Sequence, residues 1–151
     1  MEETASITHS APSTSTKLAG GRYIEGIGRR KTATARVRIT EDNAGTNAFT
    51  VNGKDVGQYF PTDEMRMIPV EPVNKVKGMN TFAVSAQVKG GGIHAQAEAV
   101  RHGLSRALVA FEEEWRKRFK KSGLLKRDDR AVERKKFGLK KARKSAQWSK
   151  R

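Results

Sequence analysis

The sequence predicts an α+β domain that is smaller than the chain and carries polar extensions at both ends. Segments that alternate between apolar and polar residues, as strands do, precede a segment with apolar residues at helical spacing. Only 36% of the 151 residues are hydrophobic, a low share for a domain that fills the whole length. The formal net charge of +15 predicts a polyanionic partner, either nucleic acid or an anionic membrane surface.

The first 21 residues predict a disordered extension, because they are rich in serine and threonine and contain almost nothing to bury. Glu2 and Glu3, and the absence of arginine before Arg22, argue against a transit peptide. No apolar run approaches the roughly 20 residues needed to span a bilayer, and no signal-peptide core follows Met1. We therefore expect a soluble, intracellular protein.

Three strands are predicted in the domain, which we place at residues 22–122. The segments TATARVRIT (residues 32–40) and TFAVSAQV (81–88) alternate with a period of two, which is typical of strands with one buried face. NAFTVNG (47–53) reads as a short third strand after the turn-forming residues EDNAGTN. Pro61, Pro69 and Pro72 predict at most one short helix between turns in residues 61–73.

Helical periodicity begins after the glycines at 90–92. An apolar stripe at helical spacing predicts an amphipathic helix and comprises Ile93, Ala97, Val100, Leu104, Ala107, Leu108 and Phe111. A second helical stretch is predicted in FEEEWRKRFKKSG (residues 111–123), with acids near its start, bases near its end and Gly123 as its stop. Whether the two helices are continuous is left open, since no proline or glycine lies between residues 104 and 122.

The positive charge is concentrated at the C-terminus, where residues 120–151 contain 14 basic and 3 acidic residues. Such a segment repels itself and stays extended unless an anion gathers it. We therefore predict an extended basic tail over residues 123–151, in which Phe137 and Trp148 are suited to stacking on RNA bases. Fourteen extended residues, from Gly138 to Arg151, can reach up to about 45 Å.

A cation-rich motif, GIGRRKTATAR, covers residues 26–36. It lacks the spacing of a Walker phosphate loop, because four residues should separate the first glycine from the Gly-Lys pair. One interpretation is a strand-to-strand turn with solvated charges. The favoured one places five cations along one ribbon that follows a phosphate backbone, namely Arg29, Arg30, Lys31, Arg36 and Arg38.

The glycine-rich helix entry at 90–92 offers backbone N–H groups that suit a phosphate, although many such entries are only tight turns. Arg101 and Arg106 lie five residues apart on the following helix and so point in different directions. We count both as candidate nucleic-acid contacts, with a solvated surface role as the alternative for one of them. His94 and His102 have no carboxylate or thiol placed to form a site with them, so we expect surface or partner-facing histidines.

Catalysis has no support in the sequence. The chain has no cysteine, which excludes a disulfide framework, a thiolate zinc site and a cysteine nucleophile, and three scattered histidines build no metal cluster. No Ser/His/Asp or paired-carboxylate arrangement is present. We therefore expect no enzyme activity, no cofactor, no metal, no membrane association and no small-molecule substrate.

Four motifs in order resemble the family of the ninth protein of the small ribosomal subunit, in its bacterial form. They are GIGRRKTATARV, VNGKDVGQYFP, GGGIHAQAEAVRHGLSRAL and the C-terminal GLLKRDDRAVERKKFGLKKARKSAQWSKR, and the resemblance covers residues 22–151. It implies a left-handed βαβ crossover, as in the second domain of the fifth small-subunit protein. Topology rules alone would favour a right-handed one.

The resemblance further implies a structural protein of the cytoplasmic ribosome that binds rRNA in the head of the small subunit, beside other head proteins. The tail would run through rRNA to the anticodon stem-loop of the tRNA in the peptidyl site. The resemblance implies rRNA contacts by the GRRK segment (residues 28–31) and by the tail cations Lys135, Lys136, Lys140, Lys141, Arg143 and Lys144. We count Arg36, Arg38, Arg101 and Arg106 with these rRNA contacts. The implied tRNA contacts are Ser149, Lys150 and Arg151. The competing hypothesis is a basic protein outside the ribosome that compacts nucleic acid or acts as a chaperone.

Overall fold

A computed structural model of the chain describes residues 23–41, 48–76 and 82–150. The extension predicted at residues 1–21, most of the turn predicted before the third strand, and Arg151 lie outside the described residues. The described strands are β1 (Ile24–Arg30), β2 (Ala33–Glu41), β3 (Phe49–Val51), β4 (Lys54–Asp55) and β5 (Phe82–Lys89). The described helices are α1 (Val56–Tyr59), α2 (Asp63–Lys75), α3 (Ile93–Phe111) and α4 (Trp115–Lys121).

The strands form one mixed sheet in the order β1-β2-β5-β3-β4. Neighbouring strands are antiparallel except β3 and β5, which are parallel and are joined through β4, α1 and α2. The predicted α+β class is therefore confirmed. The hand of the crossover between β3 and β5 stays a prediction.

The core lies between one face of the sheet and α3. Ala33, Ala35, Val37 and Ile39 of β2 are buried, as are alternate residues of β5, so the predicted period of two is confirmed in both strands. The stripe predicted on α3 is buried from Ala97 to Leu108, whereas its first residue, Ile93, is exposed. The last buried residue of the core is Leu124, beyond the predicted boundary at residue 122.

Helix α3 lies almost in backbone contact with β1, because glycines occupy the inner face of that strand. A methyl group on Gly28 would overlap the carbonyl oxygen of Ala99 and lie 2.9 Å from the Cα of Gly103. A methyl group on Gly26 would overlap the carbonyl oxygen of Gly103 and come within 2.9 Å of the Cβ of Ala107. The inner glycines of β1 thus face small residues that recur every fourth position along α3, and this pairing sets the distance between helix and sheet.

The prolines of the central segment do not limit it to a short helix, as the sequence predicted. Helix α2 has 13 residues and contains Pro69 and Pro72. Its start is capped by the Thr62 side chain, which accepts a hydrogen bond from the Met65 N–H at 3.4 Å. Internal prolines each cost a helix about 3 kcal/mol or more, but both rings here are fully buried. Their packing offsets the lost backbone hydrogen bonds.

The question of helix continuity is resolved in favour of two helices. Glu112 adopts an extended conformation at the end of α3, and α4 begins at Trp115. Phe111 packs edge-on against Phe82 of β5, with ring centroids 4.8 Å apart. Gly123 follows α4 with a φ of +73°, so the predicted stop is confirmed.

We expect Gly28→Ala to lower the free energy of unfolding by about 2 to 4 kcal/mol, because α3 can move away from the new methyl group only by losing core contacts. Gly92→Ala is the matched control, since Gly92 has a negative φ and open space at its Cβ position. Urea denaturation followed by circular dichroism measures both variants. Equal stabilities of the two would contradict the close approach of α3 and β1.

Candidate nucleic-acid interface

The outer face of the sheet, defined here as the face of β1, β2 and β5 that points away from α3, is exposed along the three strands. Arg29, Arg36 and Arg38 lie on it, and Lys89 adds a fourth cation at the end of β5. The register pairs Arg36 with Ile27 and Arg38 with Glu25, so the two β2 arginines lie beside β1. The outer face therefore presents a row of cations that no described helix covers.

Glu25 is the acidic residue of this face, and it contacts both arginines of β2. Its carboxylate oxygens lie 3.2 Å from Nε of Arg36 and 3.0 Å from Nε of Arg38. The guanidinium of Arg38 also stacks 4.4 Å from the centre of the Tyr23 ring. These contacts order the two side chains, yet half of the Arg36 side chain (53%) remains exposed.

Two side chains of α3 form hydrogen bonds with the backbone at the free edge of β1. Nδ1 of His102 accepts a hydrogen bond from the Arg29 N–H at 3.4 Å, and Arg106 donates to the Ile27 carbonyl at 2.6 Å. Burial and the positive charge of Arg106 lower the pKa of His102 below its usual value, although backbone hydrogen bonds oppose this. A neutral His102 suits the acceptor role, and Arg106 is brought to the same edge as Arg29.

Two of the five predicted cations, Arg30 and Lys31, differ from the expected arrangement. The five-cation ribbon is wrong, because Arg30 points to the inner face of β1 and its side chain is only 10% exposed. Lys31 lies in the turn between β1 and β2 with a φ of 51°, so the alternative interpretation as a strand-to-strand turn also describes this segment. Arg29 and Arg36 of the motif, together with Arg38 beyond it, therefore share the outer face.

Arg101 faces α2 and so lies away from the other candidates. Its Nη1 is 3.1 Å from Oε2 of Glu71, which also pairs with Lys75 at 2.9 Å. Burial alone would raise the pKa of Glu71, but hydrogen bonds and charge from Lys75 and Arg101 outweigh it and lower the pKa. Arg101 thus holds α2 against α3, a contact between the helices of the domain.

The glycine loop at 90–92 packs against the turn between β1 and β2. Gly90 and Gly91 have φ values of 72° and 67°, and a methyl group on Gly91 would lie 2.8 Å from the Cβ of Ala33. Gln96 donates to the Gly90 carbonyl and accepts from the Tyr59 hydroxyl. These contacts give the glycines a structural role, and phosphate binding at the start of α3 stays a prediction.

The tail beyond Leu125 is almost wholly exposed, and a local turn shortens it. Glu133 lies 3.2 Å from Nζ of Lys136 and 2.8 Å from Nε of Arg143. Leu139 and Ser145 form an isolated antiparallel bridge, and the Lys140 N–H donates to the Lys144 carbonyl at 2.7 Å. The fully extended reach estimated from the sequence therefore exceeds what this conformation provides.

The other predicted cations of the tail are open to solvent. Lys135, Lys140, Lys141 and Lys144 are exposed, with no ion pair to a carboxylate among the described residues. Phe137 is fully exposed and Trp148 is 82% exposed. Lys150 is exposed at the end of the described chain, next to Ser149, while Arg151 lies outside it.

Sequence reasoning missed three features of this region. The first is that β1 is a strand, and the other two are the carboxylates that hold Arg30, those of Glu98 and Asp128. A signal for Glu98 was present, because it is the single acid in the sequence of α3, set between alanines. Asp128 carried no comparable signal, since it belongs to a charged segment with no periodicity.

The described residues contain no group of three or more His, Cys, Asp or Glu side chains that could hold a metal ion. Among the same residues, every helix is too short or too polar to cross a membrane.

Comparison with known proteins identifies the family. The family model described as ribosomal protein S9/S16 matches residues 28–151. A curated relative, the small ribosomal subunit protein uS9 of Saccharopolyspora erythraea, is 46% identical over 134 residues, which cover 89% of this chain and 86% of the relative. The family consists of ribosomal structural proteins and not of enzymes. The match includes all of the candidate rRNA and tRNA residues, and the chain accordingly belongs to the ribosomal protein S9/S16 family.

Proposed function

We propose that this structural constituent of the small ribosomal subunit binds rRNA in the subunit head through two surfaces: the outer face of its sheet and its basic tail. The observation that carries the proposal is the row of outward-facing cations on the outer face, with Glu25 as the acidic residue among them. Arg29, Arg36 and Lys89 are exposed, and Arg38 is partly buried. It acts in the cytoplasm as part of the ribosome, beside other head proteins.

A flat face with a row of cations suits the backbone of folded RNA. The guanidinium group offers a planar set of donors that matches two phosphate oxygens at once. Glu25 holds Arg36 and Arg38 about 3 Å from its own oxygens, which keeps both side chains beside β1 before RNA arrives. Exposed ion pairs of this kind contribute only about 0 to 1 kcal/mol, so exchanging Glu25 for a phosphate costs little.

The tail extends the RNA contact beyond the domain. Lys135, Lys140, Lys141 and Lys144 are available for phosphates, and Arg143 and Lys136 join them when they leave Glu133. Exposed Phe137 and Trp148 can stack on unpaired bases. Arg106 adds a contact at the edge of β1, whereas Arg30 and Arg101 are assigned to contacts within the protein.

The end of the tail, Ser149 to Arg151, is proposed to approach the anticodon stem-loop of the peptidyl-site tRNA. Lys150 and Arg151 supply two charges to the tRNA backbone. Contacts to phosphates position a nucleic acid without reading its sequence, which suits a site that every tRNA must occupy. In accord with the family resemblance, we also propose a left-handed crossover between β3 and β5.

Replacing Arg36 and Arg38 together by glutamine should weaken binding to an RNA fragment of the subunit head and flatten its dependence on salt. Each phosphate contact contributes a slope of about 0.7 to 0.9 in a plot of log Kd against log salt concentration. We expect the slope to fall by about 1.5. Filter binding at 50 to 300 mM salt, a range chosen so that both slopes can be read, measures the effect.

The matched control for this experiment is the double variant Arg116→Gln and Lys117→Gln, which removes the same charge from exposed positions on α4. Its slope should stay close to that of the parent protein. An equal loss of RNA affinity and of salt slope in both double variants would show that only net charge matters, and would contradict a defined RNA surface on the sheet.

Deletion of Ser149 to Arg151 should leave assembly into small subunits intact and speed the dissociation of tRNA from the peptidyl site several-fold, because two charges near its backbone are lost. The dissociation rate is measured with labelled tRNA bound to the peptidyl site of purified subunits and chased with unlabelled tRNA. Unchanged dissociation would rule out the proposed tRNA contact, whereas failed assembly would mean that the last residues serve rRNA instead.

A further inference from the structure

We propose that Arg30 is a positioning residue that fixes the place and direction in which the C-terminal tail leaves the domain. The inference rests on the proposed function of the tail and deepens it. It assigns to Arg30 a role inside the protein in place of the RNA contact that the sequence suggested.

The guanidinium of Arg30 joins three segments that are far apart in the sequence. Its Nε donates to Oε2 of Glu98 on α3 at 2.5 Å, and its Nη2 lies 3.2 Å from the carboxylate of Asp128. Its Nη1 donates to two backbone carbonyls of the tail, those of Asp128 at 3.0 Å and Arg130 at 2.7 Å. The end of β1, the first turns of α3 and the start of the tail therefore meet at one side chain.

These contacts account for all three nitrogens of the side chain. A buried cation is tolerated only when its charge and its donors are matched, and here two carboxylates and two carbonyls do so. With a side chain only 10% exposed, Arg30 has little surface left for a phosphate. Among the cations of the GRRK motif, this burial distinguishes Arg30 from the exposed Arg29 and Lys31.

Two of the acceptors are main-chain oxygens, so the contact fixes the backbone of the tail as well as its side chains. Asp128 also accepts hydrogen bonds from the N–H of Arg130 at 2.9 Å and from its Nη2 at 2.7 Å. Hydrogen bonds from Arg130, with the charge of Arg30 acting in the same sense, hold the pKa of Asp128 well below its usual range. The turn at 128–130 is thus closed on itself and docked on the domain.

Only arginine can make this set of contacts. The planar guanidinium presents donors along separate edges in a fixed geometry, whereas the lysine ammonium is a single point charge. A lysine at position 30 could satisfy Glu98 but could not reach both carbonyls and Asp128 at the same time. The positive charge alone therefore does not explain why position 30 is an arginine, whereas the planar geometry of the guanidinium does.

The docked turn moves the base of the tail from Leu124, the last buried core residue, to Arg130. Undocking would add about six residues, or up to about 20 Å of extended chain. Added length alone lowers the effective concentration of the tip only about 1.5-fold, since this concentration falls as the −3/2 power of length. Direction is the larger effect, because an undocked tail leaves the core at Leu124 and is free to turn away from its target.

The test uses the full-length protein and two variants that act from opposite sides of the contact. Arg30→Lys keeps the net charge and removes the planar donors, and Asp128→Ala removes the acceptor in the tail. Arg29→Lys and Asp129→Ala are their matched controls at adjacent exposed positions. Backbone 15N relaxation of each protein reports the order of residues 126–134.

We expect order parameters over residues 126–134 to fall from about 0.85 to below about 0.6 in both test variants, and to stay unchanged in both controls. Those of β1 and α3 should keep their values in Asp128→Ala, which shows that the loss is local. An unchanged tail in either test variant would overturn the proposal. So would a loss of order that spreads through β1 and α3 in Asp128→Ala, since the contact would then support the core instead of directing the tail.

The same variants separate this proposal from the proposed function. Small subunits assembled with Asp128→Ala should release peptidyl-site tRNA several-fold faster than subunits with Asp129→Ala. If the tail loosens in solution and tRNA release is unchanged, the role of Arg30 stands and the proposed tRNA contact is contradicted. An ordered tail with altered release would overturn the role assigned to Arg30.

Discussion

The close approach of α3 to β1 is the constraint on which the rest of the structure depends. It is available only because Gly26 and Gly28 carry no side chain where they meet the backbone of α3. With the helix this close, Glu98 reaches Arg30, and His102 and Arg106 reach the free edge of β1. The helical layer is thereby confined to one side of the sheet, so that the outer face is left open with its cations exposed. Packing of small residues at the core thus determines which charges can meet RNA.

The domain and the tail differ in how far their cations are paired with acidic residues. Within the domain, four arginines of the candidate site are paired with acids: Arg30 with Glu98, Arg101 with Glu71, and Arg36 and Arg38 with Glu25. The tail has few acids, and Glu133 serves both Lys136 and Arg143. Paired charges give ordered side chains and a defined surface, while unpaired ones give an attraction that falls steeply with salt. The proposed RNA-binding surface on the outer face of the sheet is therefore ordered, whereas the tail can adapt its conformation to the RNA.

Much of the fold could be predicted from the sequence, because the period of two in β2 and β5 and the apolar stripe of α3 are direct consequences of burial on one face. The predicted length of α2 was wrong. The burial of Pro69 and Pro72 outweighs the local tendency of proline to end a helix, and only that tendency is visible in the sequence. At the candidate site, the orientation of Arg36 and Arg38 followed from strand alternation. That of Arg30 did not, because β1 was not recognised as a strand and its inner face is formed by glycines without hydrophobic signal. The partners of Arg30 are 68 and 98 residues away along the chain, a separation that no local pattern reports.

The central claim is that the uncovered face of the sheet is the surface that meets rRNA. A density map of the small subunit that contains this chain, at a resolution that separates side chains from phosphates, tests it most directly. The account predicts phosphate groups within hydrogen-bonding distance of Arg29, Arg36 and Arg38, with α2 and α3 on the side away from that RNA. A map in which the helical layer rests on the RNA and the sheet faces solvent or protein would contradict it.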